Sequence, residues 1–245
     1  MTVRITAAAP DLKQKKQLLH TIYHVYAGWI QRFPLKCHKG CSACCTQSVT
    51  VSSLEGLEIL DFIKKHNREE RLREKLALIE PAKDEAPLTM NQFAEACLNQ
   101  RETGGDAASA WNFNPCVFLE DEICTIYPVR PFGCRSFGSL ELCTDTGAAQ
   151  MSPIHIAVNT VFTQLIEHLS SDGRCWANMA DILKKLLAEK ERADAVNLPA
   201  ARPIPGFLLE PHEVRVVRAL LVQLKEQSKE KHTFGDLIDN FMPME

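Results

Sequence analysis

Residues 37–45 read Cys-His-Lys-Gly-Cys-Ser-Ala-Cys-Cys, which places four thiols within nine residues. Three further cysteines follow downstream, at Cys116, Cys124 and Cys134. We call these the first cysteine block (residues 37–45) and the second cysteine block (residues 116–134). Thiolates bind zinc and iron–sulfur clusters because soft sulfur suits both. We therefore expect the two blocks to fold onto one another around metal, with the ligands Cys37, Cys41, Cys44, Cys45, Cys116, Cys124 and Cys134.

The chain has ten cysteines, and the redox compartment decides whether they bind metal or form disulfides. Residues 1–10 contain no apolar stretch long enough for a signal peptide, and no segment approaches the roughly 18 apolar residues of a membrane span. We therefore expect a cytoplasmic location, no membrane insertion and reduced thiols. The spacing agrees, because adjacent Cys44 and Cys45 are poorly suited to pair with each other, whereas cysteines three or four apart are typical of ligands.

Seven thiols exceed the four that one tetrahedral zinc ion requires. Three arrangements account for the surplus. They are two zinc ions with bridging thiolates, an iron–sulfur cluster with spare cysteines, and one metal with structural thiols. The residues leave these alternatives open, so the expected cofactor is an iron–sulfur cluster or Zn²⁺.

Two arginines flank one of the expected ligands, because Arg130 and Arg135 lie on either side of Cys134. Thiolates around a metal carry excess negative charge, which nearby guanidinium groups offset while donating hydrogen bonds to sulfur. We therefore expect both arginines to contribute to cofactor binding. The alternative is that they lie at the surface or pair with the acidic residues 120–122.

The remaining candidates have weaker signals. Cys97 falls on an apolar helical stripe and is expected to be a buried structural thiol, while Cys143 follows in a loop as an extra ligand or a structural thiol. Cys175 is expected to begin a helix, where the N-terminus would lower its pKa. Each of the three is more typical of a structural than of a functional cysteine. His20 and His24 lie one helical turn apart without a third ligand, which favours packing or surface roles.

Hydrophobic periodicity predicts a mainly α fold, a single helical domain over residues 1–245 with one small β-hairpin and a cysteine-rich metal-binding centre. The cysteine-cluster core spans about 37–143 and a C-terminal helical part about 153–242. The hairpin is expected at 117–119 and 123–127. The predicted helices with both ends assigned cover residues 10–33, 68–79, 88–101, 154–169 and 234–241. Three more are predicted: one from Ser52 with Glu55 as its capping-box partner, one marked by Trp176 and Met179, and one from Pro211.

The two blocks resemble the YkgJ-type cysteine-cluster family, which is described as a zinc- or iron-chelating domain. Its pattern is Cys-x2-Cys-x2-Cys-Cys, followed by Pro-Cys-x-Phe-Leu, Cys-x-Ile-Tyr and Arg-Pro-x-x-Cys-Arg. The first part differs here by one residue, because three residues separate Cys37 from Cys41. The resemblance covers residues 37–137 and implies metal chelation. The matching residues of the second part are Pro115, Cys116, Phe118, Leu119, Cys124, Ile126, Tyr127, Arg130, Pro131, Cys134 and Arg135.

Three functions fit these observations. The first is a metal-binding protein of undefined role, either a metal-stabilised interaction module or a carrier. The second is an iron–sulfur enzyme such as a protein methylase using S-adenosylmethionine, because the related motif of flagellin lysine N-methylase connects the pattern to that chemistry. The third is a redox sensor whose thiols oxidise and release metal. The sequence assigns no catalytic residue, and the net charge of −3 is spread out, which gives no basic face for nucleic acid.

Overall fold

The computed structural model describes residues 10–38, 40–79, 88–103, 112–191 and 198–228. The predicted helix over 234–241 lies outside these residues. The described chain is mainly helical, as predicted. Its helices are α1 (Leu12–Ile30), α2 (Ser53–Lys65), α3 (Glu69–Ala77), α4 (Met90–Leu98), α5 (Phe132–Ser136), α6 (Cys143–Thr146), α7 (Pro153–Leu169), α8 (Met179–Glu191) and α9 (Pro211–Gln227). Its strands are β1 (Thr50–Ser52), β2 (Leu119–Glu120), β3 (Ile123–Cys124) and β4 (Trp176–Asn178).

Helix α7 lies at the centre of the first core and packs against α1, α4 and α9. The helix predicted over 154–169 is confirmed, and its Val158, Val161 and Phe162 are almost completely buried. Helix α1 meets it with Leu18, Ile22, Val25, Tyr26 and Trp29. Burial of each large apolar side chain contributes roughly 1.5–3 kcal/mol, so this seam is a main source of stability.

A second core forms between α2, α3 and α8. Helix α2 begins with the predicted capping box, in which Ser52 accepts from the amide of Glu55 and the Glu55 side chain accepts from the amide of Ser52. Gly56 allows α8 to approach closely, since a Cβ at this position would lie 2.6 Å from Ile182 Cγ2. Helix α2, which follows the first cysteine block in the chain, is therefore held in this second core.

The structure contains a second two-stranded sheet that the sequence did not predict. Strand β1 pairs antiparallel with β4, and Ser52 lies opposite Trp176. The prediction that Trp176 belongs to a helix is wrong, because α8 begins only at Met179. An apolar residue before a helix has the same local pattern whether it continues the helix or pairs with a distant strand.

The apolar stripe predicted on α4 is confirmed only at Ala94, which is buried. Phe93 is 47% exposed, whereas Asn91 is buried at 1%. The Asn91 side chain donates to the carbonyl of Gln164 at 3.1 Å and to that of Arg202 at 2.8 Å. These hydrogen bonds turn a polar residue inward. Cys97 on this helix is partly exposed, not buried as expected.

In the part of the chain that the structure describes, no helix combines the length and apolar character needed to cross a membrane.

Candidate metal centre

The two cysteine blocks are joined by backbone hydrogen bonds. The amide of Cys116 donates to the carbonyl of Cys45 at 2.9 Å. Thr46 and Pro115 form an antiparallel bridge, and the amide of Gln47 donates to the carbonyl of residue 114 at 2.9 Å. The expected contact between the blocks is therefore present.

The second block is built on a short hairpin. Strands β2 and β3 pair with Leu119 opposite Cys124, and the strands are shorter than predicted. Asp121 and Glu122 make the turn with φ of 47° and 60°, in the left-handed region. The amide of Leu119 donates to the carbonyl of Cys116 at 2.9 Å, which folds the chain before the first strand. Cys116 therefore lies at the base of the hairpin and Cys124 on its second strand.

Helix α3 holds this hairpin in place. Lys75 Nζ donates to the carbonyl of Val117 at 2.8 Å and contacts Glu120 Oε1 at 2.7 Å. Arg71 contacts the same carboxylate at 2.9 Å. Two cations of α3 therefore stabilise the segment that carries the cysteines.

Cys134 is positioned by α5, which is anchored to the core. The amide of Phe132 donates to Glu55 Oε1 at 2.7 Å. The Phe132 ring is buried and packs edge-on against Tyr26 at 4.8 Å between centroids. Cys134 therefore lies on a helical turn that is anchored through Phe132 to the core.

Four thiols from both blocks are linked by charge effects on their pKa values, and we call them the inner thiol group (Cys45, Cys116, Cys124 and Cys134). Burial raises the pKa of Cys134, and the charges of Cys116, Cys124 and Cys44 raise it further. The pKa of Cys45 is lowered, mainly by a hydrogen bond from Cys44, although burial and the charges of the other three inner thiols oppose this shift. Charge effects on the pKa values therefore connect thiols of the first block with thiols of the second.

Three further thiols affect the pKa of Cys37, and we call these four the outer thiol group (Cys37, Cys41, Cys44 and Cys143). Burial raises the pKa of Cys37, the hydrogen bond from Ser139 lowers it, and the charges of Cys41, Cys44 and Cys143 raise it. Cys44 has its own pKa raised, first by its hydrogen bond to Cys45 and then by burial. It therefore lies between the two groups.

Arg130 faces the thiols. Its charge lowers the pKa of Cys44, Cys124 and Cys134, against the larger opposing effects at each thiol. Its guanidinium lies 4.0 Å from the centre of the Tyr127 ring, and its Nε is buried without a hydrogen-bond partner. A buried cationic donor beside several thiols is the environment that suits thiolate ligands.

Arg135 occupies a different position. Its Nε donates to the carbonyl of Arg130 at 2.7 Å, and its Nη2 donates to the carbonyl of Pro128 at 3.0 Å. Its guanidinium lies 4.4 Å from the centre of the Tyr23 ring. These hydrogen bonds hold the backbone of residues 128–130, which carries the Arg130 side chain.

All ten cysteines are free thiols. Within the described ranges, no three His, Cys, Asp or Glu side chains are arranged closely enough to hold a metal ion. The donor chemistry nevertheless fits a thiophilic metal, because the thiols are grouped and Arg130 carries a buried donor without a partner. The inner and outer groups are the residues that would hold it.

The other sequence candidates lie elsewhere. Cys175 does not begin a helix but bridges to Ala200, and burial raises its pKa, so the expectation of a lowered pKa is wrong. His20 Nε2 lies 2.9 Å from Glu58 Oε2, and His24 is exposed. Cys143 was not among the seven ligands expected from the sequence. Its only signal in the sequence was its position nine residues after Cys134.

The fold and the grouped thiols define a cysteine-rich, mainly helical domain. Residues 36–153 match the model of the CxxCxxCC family, described as "Putative zinc- or iron-chelating domain". This region is just under half of the chain, and the match confirms the resemblance seen in the motif. The family description supports metal binding. Comparisons with curated proteins and with solved structures gave no match.

Proposed function

We propose that the chain is a cysteine-cluster metal-binding protein in which thiolates from both blocks hold an iron–sulfur cluster or zinc. The supporting observation is the hydrogen bond from the Cys116 amide to the Cys45 carbonyl, which fixes the second block against the first. The proposed ligands are Cys37, Cys41, Cys44, Cys45, Cys116, Cys124 and Cys134.

The chain prepares these thiols in two ways. The charge of Arg130 opposes the larger effect of burial, which raises the pKa of Cys124 and Cys134, and this partial offset favours the thiolate form that binds metal. Arg135 positions Arg130 through its carbonyl oxygen. When bound, the metal would supply a structural cross-link between the blocks and, if it is an iron–sulfur cluster, a redox centre.

The first block supports a carrier role in particular. Cys37 and Cys44 are exposed, whereas a closed structural site would bury its ligands. Exposed thiols allow a partner to exchange metal with the site. We propose a cytoplasmic location, because a reducing compartment keeps clustered thiols available as metal ligands.

The alternative is an iron–sulfur enzyme that uses S-adenosylmethionine, such as a protein methylase. The observation that favours it is the loop carrying Cys37, Cys41 and Cys44, whose spacing resembles that of a three-cysteine cluster site. This loop is accessible, so a small molecule would reach a metal held there.

The test is an absorption spectrum with iron, sulfide and zinc analysis on protein purified without oxygen. A brown protein with iron and acid-labile sulfide supports the cluster and justifies assays with S-adenosylmethionine. A colourless protein with stoichiometric zinc supports the zinc form. Protein that contains neither metal, and takes up neither on reconstitution, would contradict the proposed function.

A further inference from the structure

We propose that a groove between α3 and the β2–β3 hairpin is a docking surface for an acidic peptide segment of a partner protein. We call it the cationic groove (Arg68, Arg71, Lys75 and Glu120). The described residues that line it include none of the proposed metal ligands, so this surface adds a protein partner to a metal-binding chain.

Side chains of opposite charge lie on different sides of α3. Arg68, Arg71 and Lys75 recur at steps of three and four residues, which places them on one face of the helix, and all three line the groove. The acidic residues of the helix lie outside this face: Glu69, Glu70 and Glu74. Helix α3 therefore presents a basic face toward the hairpin, although the whole chain has a net charge of −3.

The hairpin supplies one carboxylate to these three cations. Glu120 is the acidic residue among the described residues that line the groove, and its Oε1 lies 2.9 Å from Arg71 Nη2 and 2.7 Å from Lys75 Nζ. The pKa of Glu120 is lowered, first by its hydrogen bond with Lys75 and further by the charges of Lys75, Arg71 and Arg68. One carboxylate does not neutralise three cations, so the groove keeps a positive charge that attracts an anionic ligand.

Apolar side chains lie beside the cations. Ile63, Leu72 and Phe118 form the floor of the groove, and Leu78, which is 85% exposed, continues the basic face three residues after Lys75. Cations next to apolar surface suit a peptide that carries both carboxylates and apolar side chains. Nucleic acid fits less well, because its affinity comes mainly from many phosphate contacts and the groove offers three cations.

Hydrogen bonds hold the groove in shape before any partner binds. Lys75 Nζ also donates to the carbonyl of Val117 at 2.8 Å, which joins α3 to the hairpin. The amide and the hydroxyl of Thr125 donate to the carbonyl of Phe118 at 2.8 and 3.0 Å, which closes the base of the hairpin. Arg68 and Arg71 are exposed, so a partner can reach both guanidinium groups while Lys75 keeps the groove together.

The test is fluorescence anisotropy of the full chain with a labelled peptide of Glu-Glu-Leu repeats. We expect binding that weakens as the ionic strength rises, because exposed charges are screened by salt. The double variant Arg68→Gln/Arg71→Gln should bind about fivefold more weakly, since each exposed ion pair contributes little by itself. The matched control is Arg101→Gln/Arg215→Gln, which removes the same charge from two exposed arginines elsewhere and should stay within about twofold of the wild type.

Equal weakening in the two double variants would show that only net charge matters and would overturn the docking surface. A wild type that does not bind the peptide would do the same, as would an oligothymidine that binds the wild type at least as tightly. Amide chemical shifts of the isotope-labelled wild type give a readout that needs no variant. The peptide should shift amides within residues 63–75 and 117–125, and shifts confined to other segments would also overturn the assignment.

Discussion

The amide of Cys116 donates a hydrogen bond of 2.9 Å to the carbonyl oxygen of Cys45. This bond brings together two cysteine blocks that are far apart in sequence. Because it joins backbone atoms of both blocks, it brings part of the site together. Metal would then add a cross-link to a contact that the backbone has established.

Metal removal should lower thermal stability. A ligand at about 1,000 times its dissociation constant stabilises the native state by about 4 kcal/mol, which corresponds to a Tm shift of roughly 10 °C in a chain of this size. We expect a decrease of that order when a strong chelator is added, measured by scanning calorimetry under reducing conditions. Equal Tm values for metal-loaded and chelator-treated protein would show that metal does not couple the blocks.

Replacement of Arg130 should weaken metal binding more than it weakens the fold. Loss of a residue that supports metal ligands typically costs 10–100-fold in affinity. We expect a reduction in this range for Arg130→Gln, measured by competition with a chromophoric zinc chelator. The control is Arg101→Gln, because Arg101 lies at the surface with Glu95 3.9 Å away. Identical affinities for the two variants would rule out the role of Arg130.

Replacement of Glu55 should lower the free energy of unfolding by weakening the attachment of α5 to the core. Its Oε1 accepts from the Tyr23 hydroxyl and from the Phe132 amide, both at 2.7 Å, and its Oε2 accepts from Ser52. Glutamine keeps only one acceptor oxygen, so Glu55→Gln leaves a buried donor unpaired, at a cost of about 1–3 kcal/mol. Urea unfolding of the metal-free protein measures this loss.

The matched control for that experiment is Glu95→Gln on α4, an exposed carboxylate whose removal should change stability by less than about 0.5 kcal/mol. Equal unfolding free energies for the two variants would mean that Glu55 does not anchor α5.

The stability contributed by the contact between α1 and α2 should decrease at low pH. The pKa of Glu58 is lowered to about 2, mainly by its hydrogen bond with His20 and also by Lys16. A lowered pKa stabilises the fold above the unfolded value of about 4.3, and this contribution is lost as the pH falls toward 2. Because His20 is exposed, Glu58→Gln should cost only about 1 kcal/mol at pH 7. The difference from the wild type should disappear near pH 2, and a constant difference would contradict the assignment.

Local signals in the sequence predicted much of the helical fold. Ser52 and Glu55 are three residues apart, so their capping box depends on neither core. The stripe of α7 follows from spacing alone. The two cysteine blocks were recognisable because their ligands are clustered along the chain.

What the sequence did not predict depends on distant partners. Trp176 forms a strand because Ser52 lies opposite it, and Asn91 is buried because carbonyls of α7 and of residue 202 accept its hydrogen bonds. Cys143 is isolated in sequence, and the hydrogen bond from the Ser139 amide to Cys37 Sγ places the segment that precedes it beside the first block. Such pairings have no local signal.

The central claim is that both blocks bind the same metal centre. The most direct measurement is the metal content of Cys45→Ser and Cys124→Ser, one substitution in each block, purified without oxygen beside wild type and Cys97→Ser. We predict that each of the two block variants loses metal from the inner thiol group while Cys97→Ser retains the wild-type content. Unchanged metal content in either block variant would contradict the claim.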